Sequence, residues 1–105
     1  MQFYISEHAR KRIRERVGSL GGRVNAYVQT AWEQGRKLED LPEPVQRYVS
    51  KAKVDYADTA TLRVLNGYVF IFDGARLVTV YTLPLALQRA VRLAYAANSA
   101  SRSAK

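Results

Sequence analysis

Three residues that can act together on a phosphate group, His8, Arg12 and Arg16, recur at intervals of four near the start of the chain. On a helix this spacing sets them in one row on the same face. Histidine exchanges a proton near neutral pH, and arginine binds phosphate oxygens through its planar guanidinium. His8 is the only histidine in the sequence. The row therefore predicts a phosphate-directed surface, with His8 as the catalytic acid or base if the protein cleaves RNA.

Glu15 lies beside this row and is the candidate for a second catalytic, proton-transferring group. Metal-independent RNA cleavage needs a base, an acid and cations that stabilise the phosphate. The competing interpretation is a solvated charged face, which is common on surface helices. The helix alone favours this second interpretation.

A short helix must position these residues. Ser6 is the predicted N-cap, because its side-chain oxygen can accept from the free N–H groups of the first turn. Glu7 follows, where negative charge suits the helix dipole. Gly18 is the predicted end of the helix. The apolar stripe that would dock it consists of Ala9, Ile13 and Val17.

The net charge of +8 over 105 residues is localised. Residues 1–16 carry five basic and two acidic side chains, residues 17–60 carry six of each, and residues 61–105 carry six basic and one acidic. A localised basic surface is typical of proteins with a polyanionic partner. RNA, DNA, an acidic protein and a nucleic-acid-handling host protein all satisfy this requirement.

Several classes of site and location are excluded or disfavoured by composition. Cysteine is absent and histidine occurs once, so disulfides, thiolate zinc sites and histidine-rich metal sites are impossible. We expect no cofactor. No apolar run approaches the roughly 18 residues of a membrane span, and we expect no secretory signal because no h-region opens the chain. The expected location is the cytoplasm of the host cell.

The apolar periodicity predicts helices at 23–34, 43–52 and 84–97. Phe3–Ile5 is a possible leading strand. A strand at 54–56 and a turn at 58–60 are further candidates. We predict one domain over residues 1–97 and a disordered basic tail over 98–105.

Two dipeptides give the strongest local prediction. Asn66-Gly67 and Asp73-Gly74 separate three β-type segments, and both are preferred two-residue hairpin loops. They predict an antiparallel three-stranded meander. In this register Leu65 faces Tyr68, and in the second hairpin Phe72 faces Ala75.

Alternation along these strands assigns two faces to the sheet. The predicted core face holds Leu62, Val64, Val69, Ile71, Val78 and Val80, with Arg76 at its end. The second face holds Arg63, Leu65, Tyr68, Phe70, Leu77, Thr79 and Tyr81. Because it mixes cations, hydroxyls and aromatic rings, the second face is either covered by a helix or is a working surface.

The second face supplies the remaining candidate nucleic-acid-binding residues. Arg63 would bind phosphate together with Arg12 and Arg16. Aromatic rings and hydroxyls on the same face would stack against or position a base. These further candidates are Tyr68, Thr79 and Tyr81.

The fold class expected from these elements is α+β. Two or three N-terminal helices precede an antiparallel meander of three to four strands, and a C-terminal helix follows.

Two segments resemble a group of small uncharacterised phage and prophage proteins. His8–Arg16 matches a pattern HAxxRxxER, and Leu77–Pro84 is similar to a segment ITVxxLP that ends their strands. The resemblance covers residues 3–84. More distantly, helices followed by an antiparallel meander resemble the RelE, barnase and colicin group of metal-independent RNase toxins. That resemblance is topological, and fold likeness alone does not assign a function.

Three functions are compatible with these observations. The first is a non-catalytic phage protein that binds nucleic acid or a nucleic-acid-handling host protein, as a host-takeover or anti-defence inhibitor. The alternative is a metal-independent endoribonuclease that uses His8 and an arginine cluster. The third is an assembly protein in which the mixed sheet face forms a homodimer interface. The expected state is a monomer or a homodimer.

Overall fold

A computed structural model of the chain describes residues 3–18, 20–53 and 60–103, with the side chains of 52–53 and 95–103 excepted. The described residues form an α+β fold with four α-helices and a four-stranded mixed sheet, which confirms the expected fold class. The elements are β1 Tyr4–Ile5, α1 Glu7–Arg16, α2 Val24–Gln34, α3 Glu43–Lys53, β2 Thr61–Leu65, β3 Tyr68–Asp73, β4 Arg76–Thr82 and α4 Leu85–Ser103, with 3₁₀ turns at Gly21–Arg23 and Leu38–Asp40.

The sheet has the strand order β1-β4-β3-β2. β1 pairs in parallel with β4, which confirms the leading strand, and the other pairs are antiparallel. The first hairpin has the predicted register, with Leu65 opposite Tyr68. Its loop residues Asn66 and Gly67 have φ of 54° and 83°. Positive φ at both positions is what a type I′ loop requires.

The second hairpin differs from its predicted register. Asp73 pairs with Arg76, so the two-residue loop is Gly74-Ala75, and the predicted pairing of Phe72 with Ala75 is wrong. Gly74 has φ 61° and supplies the left-handed backbone at the first loop position. The shift also sets the opposite charges of Asp73 and Arg76 across the ladder, which is a favourable cross-strand pair.

A β-bulge follows in the same ladder. Phe72 lies opposite Leu77, but Ile71 lies opposite Thr79, so Val78 is the extra residue. Since side chains alternate along a strand, one extra residue turns every later side chain of β4 to the other face of the sheet.

The predicted face assignments are therefore wrong for the end of β4. Val80, predicted on one face with Val69, is opposite Phe70 and shares its core. Thr79 and Tyr81 lie on the face of the sheet that holds Val69. The composition of β4 gave no sign of this, because Val78, Thr79 and Val80 fit either face.

Helices cover both faces of the sheet, and each layer has its own core. α1 and α2 pack on the face that carries Phe70, Phe72 and Leu77, all fully buried. α3 and α4 pack on the face that carries Val69 and Ile71. Each large side chain buried in this way contributes about 1.5–3 kcal/mol to folding. The mixed face of the meander, which is also the face expected to form a homodimer interface, is thus an interior surface.

The observed helix bounds agree with the predicted bounds to within one residue, except at the C-terminal end of α4. α4 begins at Leu85 and its helical backbone continues to Ser103, through most of the segment predicted as a tail. The division into a 1–97 domain and a tail stays a prediction. The candidate strand at 54–56 and most of the candidate turn at 58–60 lie outside the described residues. None of the helices in the described part of the chain has the length and apolar character needed to cross a membrane.

Candidate nucleic-acid interface

The first helix is docked by the residues that were predicted to dock it. Ser6 caps α1, because its Oγ accepts from the Ala9 N–H at 3.0 Å. The same Oγ donates to the carbonyl of Val78, the bulged residue, at 3.2 Å. Ala9 and Ile13 are buried against the sheet. One face of α1 is thereby fixed, and the opposite face is turned to solvent.

The solvent side of α1 carries a compact group of basic residues, which we call the α1 outer face: His8, Arg10, Lys11 and Arg14. All four residues are exposed, and with Glu7 they line a shallow depression on the protein surface. No hydrogen bond or ion pair among the described residues involves the side chains of Arg10, Lys11 or Arg14. Their charge is therefore directed at solvent and available to a ligand.

The predicted catalytic pair is not brought together. Glu15 forms an ion pair with Arg12 at 3.3 Å, with 43% and 32% of their side chains exposed. His8 and Glu15 are seven positions apart, which corresponds to about 10 Å along a helix axis. Both side chains are on the surface, but the axial separation sets them too far apart to flank one phosphate as acid and base.

Arg16 and Tyr68 do lie in contact, but their hydrogen bonds stabilise the fold. The Arg16 guanidinium donates to the Val80 carbonyl at 2.9 Å, beyond the part of β4 that β1 pairs with. The Tyr68 hydroxyl donates to the Arg16 carbonyl at 2.9 Å. The last four carbonyls of a helix have no partner within the helix, so Tyr68 satisfies one of these at the end of α1. Both residues therefore fasten α1 to the sheet.

Arg63 holds the other end of the same layer. Its Nε donates to the Trp32 carbonyl at 3.1 Å, one of the last carbonyls of α2, and its Nη1 donates to the Leu62 carbonyl at 2.9 Å. Its Cζ lies 4.4 Å from the centroid of the Trp32 ring. Burial lowers the pKa of Arg63, and the charge of Glu39 acts in the opposite direction. An arginine always remains charged in proteins, so Arg63 acts as a cationic cap on α2.

α2 covers the centre of the predicted working face. The ring of Tyr27 lies 5.7 Å from that of Phe70, centroid to centroid. Burial raises the pKa of Tyr27, and the neighbouring Tyr68 adds to this effect. No base could stack on Phe70 without displacing α2.

Thr79 and Tyr81 lie on the opposite side of the sheet from Arg63 and Tyr68. Thr79 is buried, with 5% of its surface exposed. The Tyr81 ring packs near Tyr48 of α3, with 6.5 Å between centroids. The four sheet candidates therefore do not form one surface, because the β-bulge in β4 separates them.

A larger concave site lies elsewhere, at the β2 edge of the sheet. It has a volume of about 810 Å³ and lies between the end of α2, the first hairpin loop and α4. Arg36 and Arg92 are the charged residues among its described lining. Sequence patterns do not indicate this cavity, since its walls come from three segments of the chain that span more than 50 residues.

Metal-ligating side chains are scattered. Within the described ranges, no three histidine, cysteine, aspartate or glutamate residues lie close enough to hold a metal ion.

Comparison of this chain with protein-family models, with curated proteins and with solved structures gives no match. The candidate binding surfaces of this chain are the α1 outer face and the cavity at the β2 edge.

Proposed function

We propose that this protein binds nucleic acid without cleaving it, and that the α1 outer face is the contact surface. The observation that supports this most strongly is the division of the basic residues of α1. Arg12 and Arg16 are engaged within the protein, whereas Arg10, Lys11 and Arg14 are exposed together. Clustered exposed cations bind the phosphate backbone and release its counterions.

The geometry of the helix suits a backbone contact. Arg10 and Arg14 are one turn apart in a row, and Lys11 lies beside them. Three cations within about 6 Å of axial rise can contact neighbouring phosphates of one strand. Such contacts carry little sequence information, so we expect binding with weak sequence preference.

On the basis of the resemblance to small phage proteins, we propose a host cell as the setting for this activity. A small basic protein that occupies nucleic acid in the host cytoplasm would act as a host-takeover or anti-defence inhibitor. The same surface would also suit an acidic, nucleic-acid-handling host protein. We favour nucleic acid itself, because clustered exposed basic side chains bind the repeating charges of a phosphate backbone whatever its sequence.

A pull-down from host lysate separates these two partners. The full chain is immobilised, and captured proteins and nucleic acids are measured before and after nuclease treatment. Direct nucleic-acid binding predicts that nucleic acid is captured and that captured proteins fall away after treatment. Retention of one acidic protein after complete digestion, without nucleic acid in the untreated sample, would contradict the proposal.

The endoribonuclease alternative has its own test. Cleavage of a fluorescent RNA would be compared for the wild-type chain and His8→Ala. The proposal predicts no cleavage by either protein and equal melting temperatures, since His8 is exposed and holds nothing in place. Cleavage that His8→Ala abolishes would overturn the non-catalytic function and support the alternative.

A further inference from the structure

The cavity at the β2 edge has the size of a small-molecule site. Its volume of about 810 Å³ lies within the range typical of ligand pockets, roughly 300–1,000 Å³. Val64 and Val91 contribute apolar surface to its wall. Arg36 and Arg92 supply positive charge, and no acidic residue occurs among the described lining. The described surface of the cavity is therefore both cationic and partly apolar.

The walls of the cavity are fixed by hydrogen bonds. Arg36 forms a two-way backbone bridge with Val64, at 2.8 and 2.9 Å, which holds the chain after α2 against the edge of β2. The Gly67 carbonyl accepts from the Leu83 N–H at 2.9 Å, which ties the hairpin loop to the start of α4. A site with walls fixed in this way loses little conformational entropy on binding.

An amide side chain is also held in place beside the loop. Gln88 donates through Nε2 to the Leu83 carbonyl at 2.7 Å. A Cβ atom at Gly67 would lie 2.7 Å from Gln88 Oε1, so glycine permits this close packing of the amide on the hairpin loop. Asn66, also in the lining, adds a second amide. Amide groups offer both donors and acceptors, as the edges of nucleobases do.

From these features we propose that the cavity binds a nucleoside phosphate. The phosphate lies against Arg92, and the base lies against Val64 and Val91 within reach of Asn66 and Gln88. The same ligand chemistry is present in a free mononucleotide and at the phosphorylated 5′ end of a strand. The cavity lies at the β2 edge, whereas α1 packs on β4, two strands away. The cavity and the α1 outer face are therefore separate surfaces, and ligand binding in the cavity does not depend on the proposed nucleic-acid contact.

The test uses the full chain labelled with ¹⁵N. Each of the four ribonucleoside 5′-monophosphates is titrated, beside the matching nucleosides and inorganic phosphate, and amide shifts of residues 64–67 and 88–92 are followed by NMR. We expect at least one monophosphate to bind in the millimolar range or tighter, with its nucleoside about tenfold weaker because the phosphate contributes charge-assisted hydrogen bonds. A trinucleotide with a 5′-phosphate and one with a 5′-hydroxyl distinguish a strand end from a free nucleotide.

Arg92→Glu and Arg89→Glu form a matched pair, because both positions are exposed on α4 but only Arg92 lines the cavity. Arg92→Glu is expected to weaken monophosphate binding by about tenfold or more, and Arg89→Glu by less than about threefold. Arg92→Gln serves the same purpose if the charge reversal disturbs folding. The proposal fails if none of the four monophosphates shifts these amides, or if the Arg89 and Arg92 variants lose affinity equally.

Discussion

The Tyr68 hydroxyl donates to the Arg16 carbonyl at 2.9 Å, and this contact joins the last turn of α1 to the first residue of β3. Both residues had been expected to face a nucleic acid. In the fold they close the layer in which α1 and α2 cover the sheet, and they leave the opposite side of α1 as its exposed surface. The α1 outer face owes its orientation to this contact together with the buried Ala9 and Ile13.

Tyr68→Phe removes that hydrogen bond and retains the ring. We expect the free energy of unfolding to fall by about 0.5–1.5 kcal/mol, because the Arg16 carbonyl loses its partner. Nucleic-acid binding should not change. Urea denaturation measures the first quantity, and Tyr4→Phe is the control because Tyr4 is 64% exposed. An equal loss in both variants would show that the Tyr68 hydroxyl has no special role.

Arg63→Ala removes the cap on the Trp32 carbonyl, the contact with the Trp32 ring and the bond to the Leu62 carbonyl. A loss of about 1–3 kcal/mol in unfolding free energy is expected, because a charge-assisted bond and a cation–π contact disappear together. Arg47→Ala is the matched control, since among the described residues the Arg47 side chain pairs just with Glu43, in an exposed i,i+4 contact. Its substitution should cost less than about 0.5 kcal/mol. If Arg63 were a binding residue instead, its loss would reduce affinity and leave stability unchanged.

Gly35→Ala tests the close approach of α2 to β2. A Cβ at this position would lie 2.3 Å from the Ala31 carbonyl oxygen and 2.9 Å from the Arg63 Cβ. Both neighbours are held by the backbone, so we expect a loss of roughly 1–3 kcal/mol. Gly22→Ala meets nothing within 4 Å and is the control. Thermal melting that is equal for the two variants would contradict the packing described for the end of α2.

We expect the protonation of Tyr27 to make the free energy of unfolding depend on pH under alkaline conditions. Burial raises the pKa of Tyr27 above 10.0, the ordinary pKa of a tyrosine. Above pH 10 the unfolded chain therefore releases a proton that the folded protein retains. The contribution of Tyr27 to stability is complete below pH 10 and declines as the pH rises toward the folded-state pKa. Unfolding free energy measured between pH 9 and 11 should fall less steeply for Tyr27→Phe than for the wild-type chain. Identical slopes would contradict the effect.

Local signals predicted much of the fold. The cap at Ser6, the apolar stripe of α1 and the Asn66-Gly67 loop each depend on neighbouring residues, and all three are confirmed. The bulge in β4 depends on a distant contact, since the Val78 carbonyl bonds to Ser6 from 72 residues away. No sequence pattern within β4 indicates the bulge.

The candidate site was less predictable for the same reason. Arg10, Lys11 and Arg14 are distinguished from Arg12 and Arg16 only by the direction in which α1 docks. The wheel placed all of them outside the apolar stripe, but it could not show that Val80 and Glu15 engage Arg16 and Arg12. Residue type alone predicts Arg63 and Tyr68 as binding residues, whereas their partners are helix-terminal carbonyls that are remote in sequence.

The salt dependence of nucleic-acid binding is the sharpest test of a contact surface on the α1 outer face. The variant Arg10→Gln/Lys11→Gln/Arg14→Gln removes three charges from the α1 outer face, and Arg23→Gln/Lys37→Gln/Lys51→Gln removes three from other exposed positions. Binding to a labelled single strand would be measured by fluorescence anisotropy across salt concentrations. The first variant should bind more weakly, and the slope of log K against log [salt] should fall in magnitude by about 2, since each phosphate contact contributes about 0.7. The second should retain a slope close to that of the wild-type chain. Equal slopes for the two variants would contradict a contact surface on the α1 outer face.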